Sequence, residues 1–415
     1  MRNRIMILFF LTTLLCGCGQ DYKEVLEIND NITTTEESGY DSKIESDHDF
    51  VVQLEKGYDL PLDEDEAMDL QIRMDSLFAI IGTSLSAYYS NTKCETSMPD
   101  KEKSAIIDQL SEQGYIVKSD DIYSNLENWK AFESFLLRAQ KGKSGEAVLY
   151  EVDEYGAITE KIYKSMEGEL YVLSARFCFN TDGQYAKNYV AKTRIKTWRY
   201  TETGWFGYEL CVPEYPEVSE VMNGSVLLRV KPVSEENRAA LEKFVLGLYY
   251  KGSNILCTSW NEDTIEKLDF TALYEDFYLL EYKDYLDYDV AEEGIPKDEF
   301  EELLMKYLQV NVEQIRDGAV YDENNNVYLW KRFGCGNYHL DRFGESYPEV
   351  QAVRQNDDGT ITLTVNAVCE SLNNEAFIKH ELTIKENSDG SFVYLKNEIL
   401  DNGEQNVPEY QYRMW

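Results

Sequence analysis

Glu169-Leu-Tyr-Val-Leu-Ser-Ala-Arg-Phe-Cys-Phe179 alternates with period two, and its reading decides the fold class. Successive side chains of a strand point to opposite sides, so Tyr171, Leu173, Ala175, Phe177 and Phe179 share one face. The same period runs outward from this stretch in both directions. It predicts strands over 146–153, 157–164, 188–200 and 205–212 beside the one at 169–179. Turn chemistry separates them: Glu-Tyr-Gly at 154–156, Glu-Gly at 167–168, Thr-Asp-Gly at 181–183 and Thr-Gly at 203–204. Short turns between alternating runs describe an antiparallel meander. The shared apolar face then needs a cover, and the helices that precede it in the chain are the expected one.

Those helices are legible. Asp63-Glu64-Asp65-Glu66 stands ahead of an apolar pattern at Met68, Ile72, Leu77, Ile80, Ile81 and Leu85. Acids favour a helix N-terminus through the macrodipole, so this run starts a helix. Further helices are expected at 100–112 and 128–141, with a short strand at 115–118 between them. Beyond Pro213-Glu-Tyr-Pro216 a strand at 225–231 is expected, and Ser234-Glu-Glu-Asn opens a helix to about Tyr250. Helices over 262–283, 296–309 and 311–320 follow, the second opened by Pro296. The period then returns to two at 348–356, 360–370, 376–386 and 391–400. Asn356-Asp-Asp-Gly359 and Ser388-Asp-Gly390 between these runs suit hairpins.

Each half therefore reads as helices followed by an antiparallel meander. The expectation is an α+β protein of two units, 58–232 and 233–415. The order resembles helix-on-curved-sheet folds of the nuclear-transport-factor or cystatin kind, a likeness that carries no function with it.

The beginning of the chain indicates a location. Arg2 and Arg4 precede an apolar run from Ile5 to Leu15, and small residues follow, the pattern of an export signal over residues 1–17. Leu15-Cys16-Gly17-Cys18 resembles a bacterial lipobox. That resemblance implies a diacylglycerol thioether on Cys18, which becomes the first mature residue. Cys16 stands where alanine or serine is commoner. Residues 18–57 are polar and acidic without a sustained period and read as a disordered tether. A flexible chain of this length spans on the order of 35 Å. The expected location is the extracytoplasmic face of a cell membrane, with attachment through the lipid anchor.

Charge excludes some partners. The chain carries 77 acidic and 40 basic residues, a formal net charge of −37. Loss of Arg2 and Arg4 with the signal would make it more negative still. Binding to nucleic acid needs a basic face, so no nucleic-acid partner is expected. Docking onto anionic lipid by charge is excluded by the same sign. The expected partner is an envelope ligand or protein.

Chemistry-bearing groups are sparse or unpatterned. Besides Cys16 and Cys18 there are six cysteines, at 94, 178, 211, 257, 335 and 369. An exported chain could join them in three disulfides or keep them as buried thiols, which behave as small hydrophobes; of the possible disulfides, Cys178–Cys211 is the most plausible because both lie on strands of one meander. No CxxC occurs, and only His48, His339 and His380 are available, so neither a metal site nor a cofactor is expected. Asp322-Glu-Asn-Asn-Asn326 starts like a calcium loop. Val327 stands where the loop needs glycine and Phe333 where it needs glutamate, so it reads as a polar turn. In Gly334-Cys335-Gly336-Asn337-Tyr338-His339 a thiol stands near a histidine, but adjacency in sequence does not make a catalytic pair. No catalytic residue is assigned.

Tyrosine is the exception, with 31 against 17 phenylalanines. Either these rings pack at the edges of cores and sheets, or they form a contact face. Tyr274, Tyr278, Tyr282 and Tyr285 fall at helical spacing; core or interface packing is the expected role, and a binding face is the alternative. Trp198, Trp205 and Trp260 sit near strand ends, where a buried ring anchors a sheet and an exposed one can stack on a sugar.

Several segments carry a wider likeness. They are Trp198-Arg-Tyr-Thr-Glu-Thr-Gly-Trp-Phe-Gly-Tyr-Glu209, Leu228-Arg-Val-Lys-Pro232, Ser259-Trp-Asn-Glu-Asp263, Leu273-Tyr-Glu-Asp-Phe-Tyr278, Ile295-Pro-Lys-Asp-Glu-Phe300 and Tyr321 to Trp330. Together these resemble a family of uncharacterised lipoproteins of gut-dwelling, low-GC Gram-positive bacteria, over most of residues 60–400. The resemblance implies a cell-surface location and brings no activity. The expected function is a ligand- or partner-binding ectodomain. The alternatives are an envelope hydrolase using a carboxylate pair and a structural subunit of a surface complex.

Overall fold

The computed structural model describes residues 55–332, 342–410 and 412. Gln53–Trp415 form one compact unit. Its first helix, α1 (Glu64–Thr92), begins where the acidic run placed it. Asp63 accepts from the Glu66 backbone N–H at 2.7 Å, and Glu66 returns a bond to the Asp63 N–H at 3.3 Å. Such a reciprocal cap is worth about 1 kcal/mol. Next come α2 (Asp100–Glu112), β1 (Ile116–Ser119) and α3 (Trp129–Ala139). The meander is β2 (Gly145–Val152), β3 (Ile158–Met166), β4 (Glu169–Phe179), β5 (Tyr185–Tyr200), β6 (Trp205–Leu210) and β7 (Ser225–Arg229). These strands form one curled sheet in sequence order, antiparallel except for the parallel β1–β2 pair.

The two faces of this sheet divide the helices between them. Leu173, Ala175 and Phe177 pack with Leu70, Leu77, Ile81 and Leu85 of α1, with Phe179 at the edge of the same cluster. The opposite face gathers Leu149, Tyr163, Val172, Phe206 and Leu228 around Phe132, Phe135 and Leu136 of α3. The period-two reading of 169–179 thus placed the face correctly. One fully buried carboxylate interrupts the first cluster. Glu160 lies 2.8 Å from Arg73 Nε and accepts from the Tyr150 hydroxyl at 3.2 Å.

In the second half, α4 (Glu235–Phe244), α5 (Phe270–Tyr282), α6 (Tyr288–Glu292), α7 (Lys297–Tyr307) and α8 (Val312–Gly318) precede the strands β11 (Tyr347–Gln355), β12 (Ile361–Val368), β13 (Lys379–Glu386) and β14 (Phe392–Ile399). Those four strands form an antiparallel meander in sequence order. The α+β class read from the sequence holds. Between α6 and β11 lies a small sheet that the sequence reading missed, made of β8 (Ile295–Pro296), β9 (Tyr321–Asp322) and β10 (Val327–Tyr328), in the order β8-β10-β9. Strands of two residues carry no period to detect. The helix expected over 262–283 is broken. A 3-10 segment over Glu262–Lys267 ends at an extended Leu268, and the Asp269 side chain starts α5 afresh by accepting from Ala272 N–H at 3.0 Å.

A buried polar network ties the last strands to the loop before α5. His380 is fully buried, with Nδ1 at 2.6 Å from Asn397 Oδ1 and Nε2 at 2.7 Å from the Tyr250 hydroxyl. Asn397 gives its amide protons to the carbonyls of Leu256 (3.2 Å) and Thr258 (3.0 Å). Its oxygen must then accept, so the proton sits on His380 Nδ1 and Nε2 accepts from Tyr250. Burial pushes the imidazole down to about 4, opposed by the bond to Asn397, and the ring is neutral at pH 7.

Candidate functional site

A crevice opens where the curled sheet, α4 and β11 meet. Three local features build it. The first is the loop after β1: Lys103 pairs with Asp121 at 2.8 Å, which anchors the loop, and Tyr123 donates to Pro348 O at 3.1 Å. The second is α4. Ser234 caps it by accepting from Asn237 N–H, and Asn237 Nδ2 in turn donates to Gln351 O at 2.7 Å. The third is a register shift in β11 between Val350 and Ala352, which leaves Gln351 out of the ladder, where its carbonyl meets Asn237. Arg238, one residue along α4, donates from Nη1 to Tyr123 O at 3.1 Å and from Nη2 to Asn125 Oδ1. The loop is thereby held across the crevice mouth.

The floor is charged but balanced. Arg229, at the end of β7, lies 3.2 Å from Glu349 of β11 through Nε, and both side chains are nearly buried. The guanidinium also lies over the Trp205 ring, 5.1 Å from its centroid. Burial raises the Glu349 carboxyl above its usual range, and the neighbouring Arg229 charge opposes that rise. Gln351 also donates to this carboxylate. Around this pair the walls are apolar: Ile122, Val233, Leu241, Leu246 and Val350. Apolar walls around a few converging polar groups are the usual form of a small-molecule site.

A second polar cluster lies on the α3 side of the curled sheet. Lys161 pairs with Glu151 at 2.7 Å, each 22% exposed. Burial would raise the Glu151 carboxyl, yet Lys161 and Lys118 outweigh it and hold it below the usual range. The hydroxyls of Tyr163 and Tyr208 share a 3.1 Å hydrogen bond beneath. These groups satisfy one another.

The residues singled out in the sequence divide between core and surface. Tyr274 is 2% exposed and stacks on Phe300 at 5.0 Å, so it belongs to the core. Tyr278 is half-buried, whereas Tyr282 and Tyr285 are exposed at the end of α5. Trp205 and Trp260 are buried, and Trp260 Nε1 donates to Ile255 O at 2.9 Å. The Asp322–Asn326 turn closes a hairpin, with Asp322 accepting from Asn324 and Asn325. Cys18, Cys335 and His339 lie outside the described residues.

The expected Cys178–Cys211 disulfide is not formed, and both residues are free thiols. The register explains why. Cys211 N–H bonds to Arg194 O, and Arg194 opposes Tyr171 across β5 and β4. Tyr171 is seven residues from Cys178 along β4. That separation is about 23 Å at strand rise, against a Cα limit near ~7 Å for a disulfide. Membership of one meander does not bring two residues together, because the register sets the distance.

None of the crevice residues was singled out in the sequence. Arg229 and Glu349 are far apart in the chain and belong to different sheets, and no local pattern marks either. The one available signal was Leu228-Arg-Val-Lys-Pro232, where an arginine interrupts an apolar strand.

The chain matches the model of a family of unknown function (DUF6070) over residues 74–413, and it belongs to that family. No curated protein and no solved structure matches it.

Proposed function

We propose that this member of the DUF6070 family is a lipid-anchored, extracytoplasmic binding protein whose ligand site is the crevice between the curled sheet and α4. The crevice is the observation that carries the reading. It has the apolar lining of a ligand site, and its floor is the Arg229–Glu349 ion pair. The lipobox-like Leu15-Cys16-Gly17-Cys18 and the acidic stretch after it support the location. A tether on the order of 35 Å would hold the folded unit clear of the headgroups.

The location is tested by incorporation of labelled fatty acid in cells. Cys18→Ser is expected to abolish labelling and to release the chain from the membrane fraction, while Cys16→Ser keeps both. Labelling that survives Cys18→Ser and disappears in Cys16→Ser would move the anchor, and labelling of neither variant nor wild type would remove it.

Binding is tested on residues 53–415, which form one compact unit and hold every core cluster. Thermal unfolding is followed against glycans, wall fragments, peptides and carboxylic acids. A ligand present at a hundred times its dissociation constant stabilises by about 2.7 kcal/mol. Leu246 lines the crevice at its rim and is 36% exposed. Leu246→Trp should therefore occlude the opening, leave the ligand-free midpoint unchanged and erase the ligand-induced shift. A shift that Leu246→Trp does not alter would place binding elsewhere.

A further inference from the structure

Among the polar side chains that line the crevice, Arg238 stands apart because its charge is unbalanced. Arg229 is neutralised by Glu349 on the floor. Arg238 bonds only to neutral acceptors, the Tyr123 carbonyl and the Asn125 amide oxygen, and makes no ion pair among the described residues. A guanidinium has five N–H donors, and these two bonds leave three uncommitted. Glu242, one turn further along α4, also lines the crevice, but it is exposed at the rim, where water weakens its charge without removing it. Arg238 is half-buried, and its charge acts through a less polar surrounding.

The rest of the chain sharpens the contrast. With a net charge of −37, the surface as a whole attracts cations and repels anions. Inside the exposed Glu242 at the rim, Arg238 adds one positive charge to the balanced Arg229–Glu349 pair. The crevice walls of Ile122, Leu241 and Val350 suit a hydrocarbon body, and a planar guanidinium is suited to a carboxylate.

We propose that the crevice binds a small amphipathic carboxylate, its apolar body against Ile122, Leu241 and Val350 and its carboxylate on Arg238. This rests on the reading of the crevice as the ligand site and gives that ligand a chemical class. Glu349 remains paired with Arg229 throughout, and no covalent step is involved.

The test titrates residues 53–415 with three probes of equal chain length, octanoate, octanol and octylamine, by isothermal calorimetry. Octanoate should bind about tenfold more tightly than octanol, and octylamine more weakly than either, as a charge-assisted bond predicts. Arg238→Gln should lose that tenfold preference, read as the ratio of the octanoate and octanol affinities. Because Arg238 also holds the loop after β1, a second variant leaves its contacts intact. Glu242→Gln removes the neighbouring negative charge and should tighten octanoate roughly threefold, with octanol unmoved.

Equal affinity for octanoate and octanol overturns the proposal. So does an Arg238→Gln variant that binds octanoate as wild type does, or a Glu242→Gln variant that changes neither probe. If octanoate fails while another ligand binds and is excluded by Leu246→Trp, the crevice stands as a site and only the carboxylate class is lost. If no ligand of any class responds to Leu246→Trp, the site itself is lost.

Discussion

Replacing Asn397 with alanine should destabilise the protein by about 4 kcal/mol, one of the largest losses expected from a single polar side chain here. The reason lies in what would be left behind. Asn397 gives both amide protons to carbonyls of the 253–260 loop and accepts the one proton that His380 Nδ1 carries. Its removal strands two buried groups, His380 Nδ1–H and the Leu256 carbonyl, and the part-buried Thr258 carbonyl, and each unsatisfied buried group costs about 1–3 kcal/mol. The side chain is 1% exposed, so water cannot replace the lost partners without opening the core. The backbone of Asn397 also exchanges hydrogen bonds with Trp260, at 2.9 and 3.0 Å, and these do not depend on the side chain. The loop should therefore stay in register while losing stability, and the variant should fold to the same structure with a lower midpoint. Urea unfolding of residues 53–415 checks this. A loss under about 1 kcal/mol would show that the network is not satisfied as described.

What was legible in the sequence and what was not divide along one physical line. Period-two alternation and turn residues are local, so β2 to β6 and β11 to β14 were placed within a few residues. The face of Leu173, Ala175 and Phe177 was placed too, because burial of one sheet face imposes that alternation directly. The start of α1 was legible because the cap is a local hydrogen-bond pattern at Asp63 and Glu66. What failed depended on distance through the fold. Tyr274 and Tyr282 look alike at helical spacing, yet one stacks on Phe300 and the other faces solvent, because only the partners of α5 decide between them. The disulfide expectation failed on register, which a list of strands does not contain. The crevice was invisible for the same reason. Arg229, Arg238 and Glu349 come from β7, α4 and β11, and nothing local to any of them indicates the other two.

The second large effect concerns two buried groups that respond to pH with opposite sign. Burial raises Glu160 to about 7, although Arg73 and the Tyr150 hydroxyl both favour its charged form. Unfolded, it titrates near ~4.3. The folded state therefore holds the proton more tightly, and this group's stabilisation is present in acid and lost as pH rises from about 4.5 to 7. His380 runs the other way. Its folded value of about 4 lies below an unfolded value near ~6.5. Its stabilisation is present at neutral pH and is lost as pH falls from about 6.5 to 4. Each shift corresponds to about 3 kcal/mol, and the two windows overlap, so in the wild-type protein they largely offset one another. Removing either group exposes the other. Glu160→Gln should leave a protein that loses about 3 kcal/mol, relative to its own value at pH 7, on acidification to pH 4. His380→Gln should instead gain stability as pH falls from 7 to 4.5. Each substitution has its own cost, so the slopes of the profiles are compared and not their heights. Carboxylates such as Glu66, held low by Lys192 and Lys164 against the effect of burial, contribute equally to all three profiles and cancel. Parallel profiles for wild type and Glu160→Gln would mean that Glu160 titrates in the folded protein as it does in the unfolded chain. Parallel profiles for wild type and His380→Gln would mean that the imidazole can be protonated where it lies. Opposite slopes would establish that neither group is charged in the folded protein at pH 6, where ordinary carboxylates are ionised and an ordinary imidazole is largely protonated.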